Sequence, residues 1–179
     1  SCYIAYTDGS EVPESYSGSG AIVYWKNQQQ NLEEIYSTSA PTREFSILFA
    51  ELFAILITLR WIRSSLPRDK NRIVPFHFFV DNSSARTILC DPIIPRKHFY
   101  LVQEIKHYAI ALRDNFRFCI HWIPSHLELH SGGFCSIQGS KMADNLANDG
   151  RKMSAFQSDD SVFAGYDIHG VRDRILGDS

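Results

Sequence analysis

Residues 42–64, TREFSILFAELFAILITLRWIRS, carry the strongest pattern in the chain. Apolar side chains recur there close to the 3.6-residue period of an α-helix, at Leu48, Leu52, Ile55, Leu56, Leu59 and Ile62. The segment is apolar on nearly all sides, so we expect a largely buried helix. One acidic residue, Glu51, lies inside this apolar stretch. A buried carboxylate without a partner costs several kcal/mol or takes up a proton, so Glu51 should have a cation as its partner.

The segments on either side of this helix predict a mixed sheet. Five strand patterns are separated by turn residues or helices, at residues 3–6, 21–25, 32–37, 73–80 and 116–123. The first three predict an antiparallel meander. The fourth is almost continuously apolar, which is typical of a strand covered on both faces of a parallel sheet. The first strand should stop at Asp8-Gly9-Ser10, where a turn is expected.

Further helices are predicted after the fourth strand and at the C-terminal end. Asn82 or Ser83 can cap a short helix, residues 95–115 form another, and Ser140 caps one through about Met153. The order of elements predicts an α/β fold. Its sheet has five strands, three antiparallel and then two further parallel ones, with helices on both faces.

The composition is that of one globular domain. The chain has 179 residues, 44% hydrophobic and 21% charged, enough for a substantial core. We assign residues 1–153 to the domain and expect a partly loose tail at 154–179. The net charge of -2 gives no overall basic excess that would indicate a nucleic-acid partner.

Localisation and membrane contact are predicted from what the sequence lacks. No stretch is long and apolar enough for a membrane span, and no signal-peptide pattern precedes Tyr3. We therefore expect a domain of a longer protein with no membrane partner. The four cysteines are far apart and form no CxxC pair, which favours reduced thiols in a cytoplasmic or nuclear compartment.

Three more acidic residues lie where the predicted elements end or turn inward. Asp8 closes the first strand, Asp81 closes the fourth, and apolar spacing turns Asp144 inward on the last helix. In open α/β sheets, active sites form at strand ends, and clustered carboxylates are ligands that suit Mg²⁺ or Mn²⁺. Taken singly, these three residues also fit a turn, a helix cap and a solvated helix position. Glu51 is the hardest to explain without a metal.

The residues around these acids resemble the motifs of type 1 ribonuclease H. The matching segments follow the order of that family and are Tyr6-Thr7-Asp8-Gly9-Ser10, Ala50-Glu51-Leu52-Phe53-Ala54, Phe79-Val80-Asp81-Asn82-Ser83, His121-Trp122-Ile123-Pro124-Ser125-His126 and residues 139–147. The resemblance therefore spans residues 3–147. The Ile-Leu-Phe-Ala-Glu and Trp-Ile-Pro-Ser-His runs look most like the ribonuclease H domains of non-LTR (LINE-type) retrotransposons. The lone helix after Asp81, with no basic protrusion, fits the same group.

The resemblance implies an endonuclease that hydrolyses the RNA strand of RNA–DNA hybrids with two Mg²⁺ ions, for which Mn²⁺ can substitute. The implied metal ligands are Asp8, Glu51, Asp81 and Asp144. His126 would assist proton transfer or product release. The implied substrate contacts are Gly9, Ser10, Asn82 and Ser83. A reverse transcriptase domain of the same polyprotein is an expected partner, and we expect the isolated domain to be a monomer.

The chain departs from the family in two places. The loop between His126 and Asp144 is longer than usual and holds a second candidate histidine in His130-Ser131-Gly132. We favour His126 because Trp122-Ile123-Pro124 fixes its register. Ile47 and Leu48 stand where many members have polar residues that read the hybrid, so recognition of RNA 2′-hydroxyls is weaker here or depends on other residues.

Several other interpretations are open. The domain could be a catalytically inactive structural or nucleic-acid-binding module of the same fold. A zinc site at His126, His130 and Cys135 lacks a fourth ligand, and the H-x-E of zinc deaminases lacks its P-C-x-x-C partner. Basic side chains could form a phosphate track or an ordinary solvated surface, and they are Arg60, Arg63, Arg68, Lys70, Arg72, Arg96 and Lys97.

Overall fold

The computed structural model describes residues 1–13, 16–43, 46–124 and 137–159. The strands are β1 (Cys2–Val12), β2 (Tyr16–Lys26), β3 (Leu32–Thr42), β4 (Val74–Val80) and β5 (Phe116–Trp122). The helices are α1 (Ile47–Ser65), α2 (Ser83–Cys90), α3 (Phe99–Leu112) and α4 (Ile137–Asp159). None of these helices has the length and apolar character needed to cross a membrane.

The strands form one sheet in the order β3-β2-β1-β4-β5. The β1–β2 and β2–β3 pairs are antiparallel, whereas β4 pairs parallel with both β1 and β5. The predicted α/β fold, a five-stranded mixed sheet with helices on both faces, is confirmed.

Each face of the sheet has its own apolar core. On β1, Ala5 belongs to a core formed with α1 and α3, and Ile4 and Tyr6 belong to a second core formed with α4. Likewise Phe78 of β4 joins the first core and Phe79 the second. This alternation is the two-residue period of β-strands.

The first strand is longer than the turn signal in Asp8-Gly9-Ser10 predicts. β1 continues through these residues because all three are paired with β2, Asp8 opposite Gly20 and Ser10 opposite Gly18. The expected turn is therefore wrong, and Asp8 lies within a strand. Similarly, Thr42 is paired with Ser17 in the sheet, so α1 begins only at Ile47, after Ser46 caps it.

The last helix begins earlier and ends later than predicted. It starts at Ile137, so Ser140 lies inside the helix, and it continues to Asp159. Its later part is held on the sheet because Ser154 Oγ donates a 2.6 Å hydrogen bond to the carbonyl of Ser17. The assignment of a tail from residue 154 stays a prediction, and residues 160–179 lie outside the described part of the chain.

Small residues allow α4 to lie directly against β2. Gly20 is packed so closely that a Cβ atom there would meet the backbone of Ala143 and Ala147 well inside contact distance. Those two alanines are almost fully buried against the sheet. The interface therefore depends on the missing side chain at position 20.

We predict that Gly20→Ala lowers the free energy of unfolding by about 1–3 kcal/mol, the usual cost of overpacking a rigid interface. Backbone atoms on both sides limit relaxation. The measurement is urea unfolding, with Ser37→Ala, at an exposed position of β3, as the control. Equal stability of the two variants would contradict this close packing.

Candidate active site

Three of the four predicted acids come together in the structure. Carboxylate oxygens of Asp8, Glu51 and Asp81 all lie within 4.8 Å of one another. Asp8 belongs to β1, Glu51 to α1, and Asp81 directly follows β4. Asp8 and Glu51 are 8% and 3% exposed. Within the described ranges, this is the one group of three or more acidic, histidine or cysteine side chains placed closely enough to hold a metal.

The strand register places Asp8 beside Asp81. β1 and β4 run parallel, and Thr7 pairs with Val80. The next residue on each strand is the acid, so the two carboxylates lie side by side. This follows directly from parallel pairing, in which corresponding residues share one level of the sheet.

Glu51 reaches these acids because α1 lies unusually close to β1 and β2. A Cβ atom on Gly9 would lie 2.7 Å from the backbone nitrogen of Glu51, so only glycine permits this approach. Ser19 Oγ also donates a 2.6 Å hydrogen bond to the carbonyl of Ala50. Gly9 and Ser19 together fix the helix at the residue that precedes Glu51.

Burial and mutual repulsion raise the pKa values of all three acids. Burial, followed by the charge of Asp81, raises the pKa of Asp8 to about 7. Burial and the charges of Asp8 and Asp81 raise the pKa of Glu51 well above its usual value, and burial raises that of Asp81. In the metal-free protein, Glu51 therefore keeps a proton, with which it can hydrogen-bond Asp8.

One oxygen of this cluster has no partner within the protein. Glu51 Oε2 is buried without a hydrogen bond, although buried polar atoms are nearly always satisfied. A divalent cation would satisfy this oxygen and remove the repulsion between the acids. Hard carboxylate oxygens are the donors that Mg²⁺ and Mn²⁺ prefer, so Asp8, Glu51 and Asp81 fit such an ion.

Asp144 is placed differently from its prediction. It is exposed on α4, while Ala143 and Ala147 take the buried positions against the sheet. The predicted inward orientation is wrong because only small side chains fit beside Gly20. Asp144 is still close enough for its charge to raise the pKa values of Asp8 and Asp81.

The predicted substrate contacts have structural partners of their own. Gly9 is buried under α1. Ser10 Oγ donates a 2.6 Å hydrogen bond to Asn148 Oδ1 on α4. Asn82 caps α2 by accepting a hydrogen bond from the Ala85 nitrogen at 2.9 Å. Ser83, the first residue of α2, is exposed.

Further predictions concern the loop histidines and the basic track. His126, His130 and Cys135 lie outside the described residues. Arg60 is no phosphate ligand, because it forms a 2.6 Å ion pair with Glu104 of α3. The other basic positions of the predicted track are exposed, and they are Arg63, Arg68, Lys70, Arg72, Arg96 and Lys97.

Sequence reasoning missed the groups that hold the acids in place. The Trp122 indole donates a 3.0 Å hydrogen bond to the carbonyl of Asp81, and Ser19 anchors the turn of α1 that carries Glu51. Both contacts join residues far apart in the chain, so no local pattern reveals them. Ser19 gave one signal, since it is a polar residue in a strand built for burial.

Comparison with solved structures identifies the fold. The N-terminal RNase H domain of Rv2228c from Mycobacterium tuberculosis is 15% identical, covers 87% of this chain and 97% of its own, and has a TM-score of 0.63. LC11-RNase H1, in complex with an RNA/DNA hybrid, is 16% identical, with 86% and 99% coverage and a TM-score of 0.60.

A viral structure is also similar. The foamy viral protease-reverse transcriptase, in complex with an RNA/DNA hybrid, is 18% identical with a TM-score of 0.62. That match covers 85% of this chain but 20% of the viral one. No protein-family model matches this chain, and no curated protein matches it in sequence. At these identities the similarity shows the fold, which is that of type 1 RNase H.

The raised pKa of Asp8 predicts how stability depends on pH. The folded protein binds more protons than the unfolded chain between the ordinary value of 3.8 and about 7, so the free energy of unfolding should fall as pH rises through this window. This contribution is greatest below the window and is lost above it. We expect Asp8→Asn to flatten this part of the profile in EDTA.

Urea unfolding in EDTA at about pH 5 and about pH 8 provides the measurement. Asp114→Asn, at an exposed position, is the control and should follow wild type. Adding Mg²⁺ at the higher pH should stabilise wild type and Asp114→Asn but not Asp8→Asn. Parallel profiles for all three proteins would contradict the assignment.

Proposed function

We propose that this protein is a ribonuclease H, an endonuclease that hydrolyses the RNA strand of RNA–DNA hybrids with divalent metal ions. The observation that carries this proposal is the buried cluster of Asp8, Glu51 and Asp81 in a fold of the RNase H type. Structures with this fold include complexes with an RNA/DNA hybrid. Burying three repelling acids is costly for a purely structural module, which gains nothing from them.

The residues of this chain divide the work between binding and positioning. Asp8, Glu51 and Asp81 would hold two Mg²⁺ ions, with Asp144 as a fourth acid at the exposed side. Bound ions of this kind activate water and stabilise charge on the phosphate. The Trp122 indole holds the carbonyl of Asp81, and Gly9 lets Glu51 approach. These contacts restrict the carboxylates before metal binds.

We also propose a retroelement origin, with a role in reverse transcription as part of a polyprotein. The retrotransposon-like segments around Glu51 and Trp122 support it, as does the similarity to a domain-sized part of a viral reverse transcriptase chain. The net charge of -2 gives little general attraction to nucleic acid. Neighbouring domains would then deliver the hybrid to this site.

The first test of the proposed activity is cleavage of a labelled hybrid by the wild-type protein. We expect cleavage of the RNA strand with Mg²⁺ or Mn²⁺, none in EDTA, and none of duplex DNA. Single-stranded RNA serves as the second control substrate. Intact hybrid under both metals would overturn the enzymatic proposal and favour a binding module.

Asp81→Asn should abolish cleavage, because it removes a charge between the metal ions while keeping the side chain's shape. It should leave the metal-free protein at least as stable, since it relieves repulsion with Asp8 and Glu51. Asp114→Asn again serves as the matched control. A folded Asp81→Asn protein with more than about a tenth of the wild-type rate would contradict the metal role.

The loop histidines give a separate prediction. If His126 moves protons or helps product leave, His126→Ala should slow turnover by about 10²-fold, and His130→Ala should be near neutral. Metal-dependent stabilisation should survive in both variants. Rates on one hybrid at fixed Mg²⁺ decide the matter. A crippled His130→Ala would mean that the register assigned to this loop is wrong.

A further inference from the structure

The face of β4 and β5 that lies opposite α1 carries an unusual set of side chains. His77 of β4 and both Cys119 and His121 of β5 are partly exposed there. Their neighbours at alternate positions, such as Phe78 and Phe118, belong to the core under α1 and α3. The alternation of strand side chains therefore puts the two histidines and the cysteine on the other face.

The two imidazoles face each other at metal-binding distance. His77 Nδ1 and His121 Nε2 are 2.9 Å apart, and the ring centroids are 5.1 Å apart. In the metal-free protein a single proton is shared between the two nitrogens. An ion about 2.0–2.1 Å from both nitrogens would subtend an angle of about 90° between them, so small ring movements give tetrahedral or square geometry.

Cys119 is placed to supply a third ligand. It is the register partner of His77 on the adjacent strand and precedes His121 by two residues on the same face. Its thiol is free and half-buried. Because the described ligand atoms within 4.8 Å of one another are limited to the three acids, the Cys119 thiol has to rotate to join the imidazoles.

The surroundings favour the metal-binding forms of these groups. Burial, with the nearby His121 and Arg117, lowers the pKa of His77, so its imidazole is neutral at neutral pH, as coordination requires. His121 stacks on Phe79 at 4.8 Å, and Phe79 stacks on Tyr6 at 5.4 Å. These stacked rings fix the orientation of His121 before any ion arrives.

We propose that His77, His121 and Cys119 form a binding site for a divalent transition metal of the zinc class, separate from the carboxylate cluster. Imidazole and thiolate ligands select Zn²⁺, Co²⁺, Ni²⁺ or Cu²⁺ over Mg²⁺. The site joins the edge strand β5 to β4. Its occupation should therefore stabilise the folded protein independently of the proposed nuclease activity.

The test is titration of the full chain with Co²⁺ in excess Mg²⁺, which keeps the carboxylate cluster filled with the harder ion. We expect one Co²⁺ per protein with visible absorption bands, a thiolate-to-cobalt band that Cys119→Ser removes, and a rise in melting temperature. Losing a group that merely orients a ligand weakens metal binding by about 10- to 100-fold. His77→Gln and His121→Gln should therefore weaken it by at least about tenfold.

His107→Gln, at an exposed position of α3, is the matched control and should bind like wild type. No Co²⁺ binding, or binding that is unchanged in both His77→Gln and His121→Gln, would overturn the proposal. If either variant fails to fold, ring-nitrogen NMR of the wild-type protein with Zn²⁺ decides. Zinc must then shift the resonances of His77 and His121, and unchanged resonances would overturn the proposal equally.

Discussion

Three carboxyl groups with oxygens within 4.8 Å of one another, two of them almost fully buried, repel each other strongly when ionised. The remainder of the site is arranged around this repulsion. It raises the pKa values of Asp8, Glu51 and Asp81, leaves Glu51 Oε2 without a partner, and makes the protein a better ligand for a cation than for a proton at high pH. A fold that tolerates this cost needs many compensating contacts elsewhere.

Those contacts come from the two apolar cores and from close backbone packing. The parallel β1–β4 pair places Asp8 and Asp81 at one level. Gly9 and Gly20, on opposite faces of the sheet, let α1 and α4 approach the strands directly. The helices therefore carry Glu51 and Asp144 toward one edge of β1, one from each side. A larger side chain at either glycine would separate an acid from the others.

Much of the fold, and three members of the site, could be predicted from the sequence, because both depend on local patterns. Glu51 stands out as a charge within an apolar helix, and the apolar β4 strand ends at Asp81. The length of β1 could not be predicted, since pairing with Gly18 and Gly20 overrides the turn preference of Asp8-Gly9-Ser10. The Arg60–Glu104 ion pair and the exposure of Asp144 likewise depend on packing between distant segments. His126 stays a prediction, because its loop lies outside the described residues.

The hydrogen bond from Trp122 to the carbonyl of Asp81 also has a spectroscopic consequence. Trp122 is 49% exposed, whereas Trp61 stacks on Tyr36 and Trp25 lies against Tyr3. The emission of Trp122 therefore reports on the end of β4, where one of the three acids resides. With phenylalanine at the other two tryptophan positions, the protein would carry a single intrinsic fluorophore whose signal follows cation binding without any attached label.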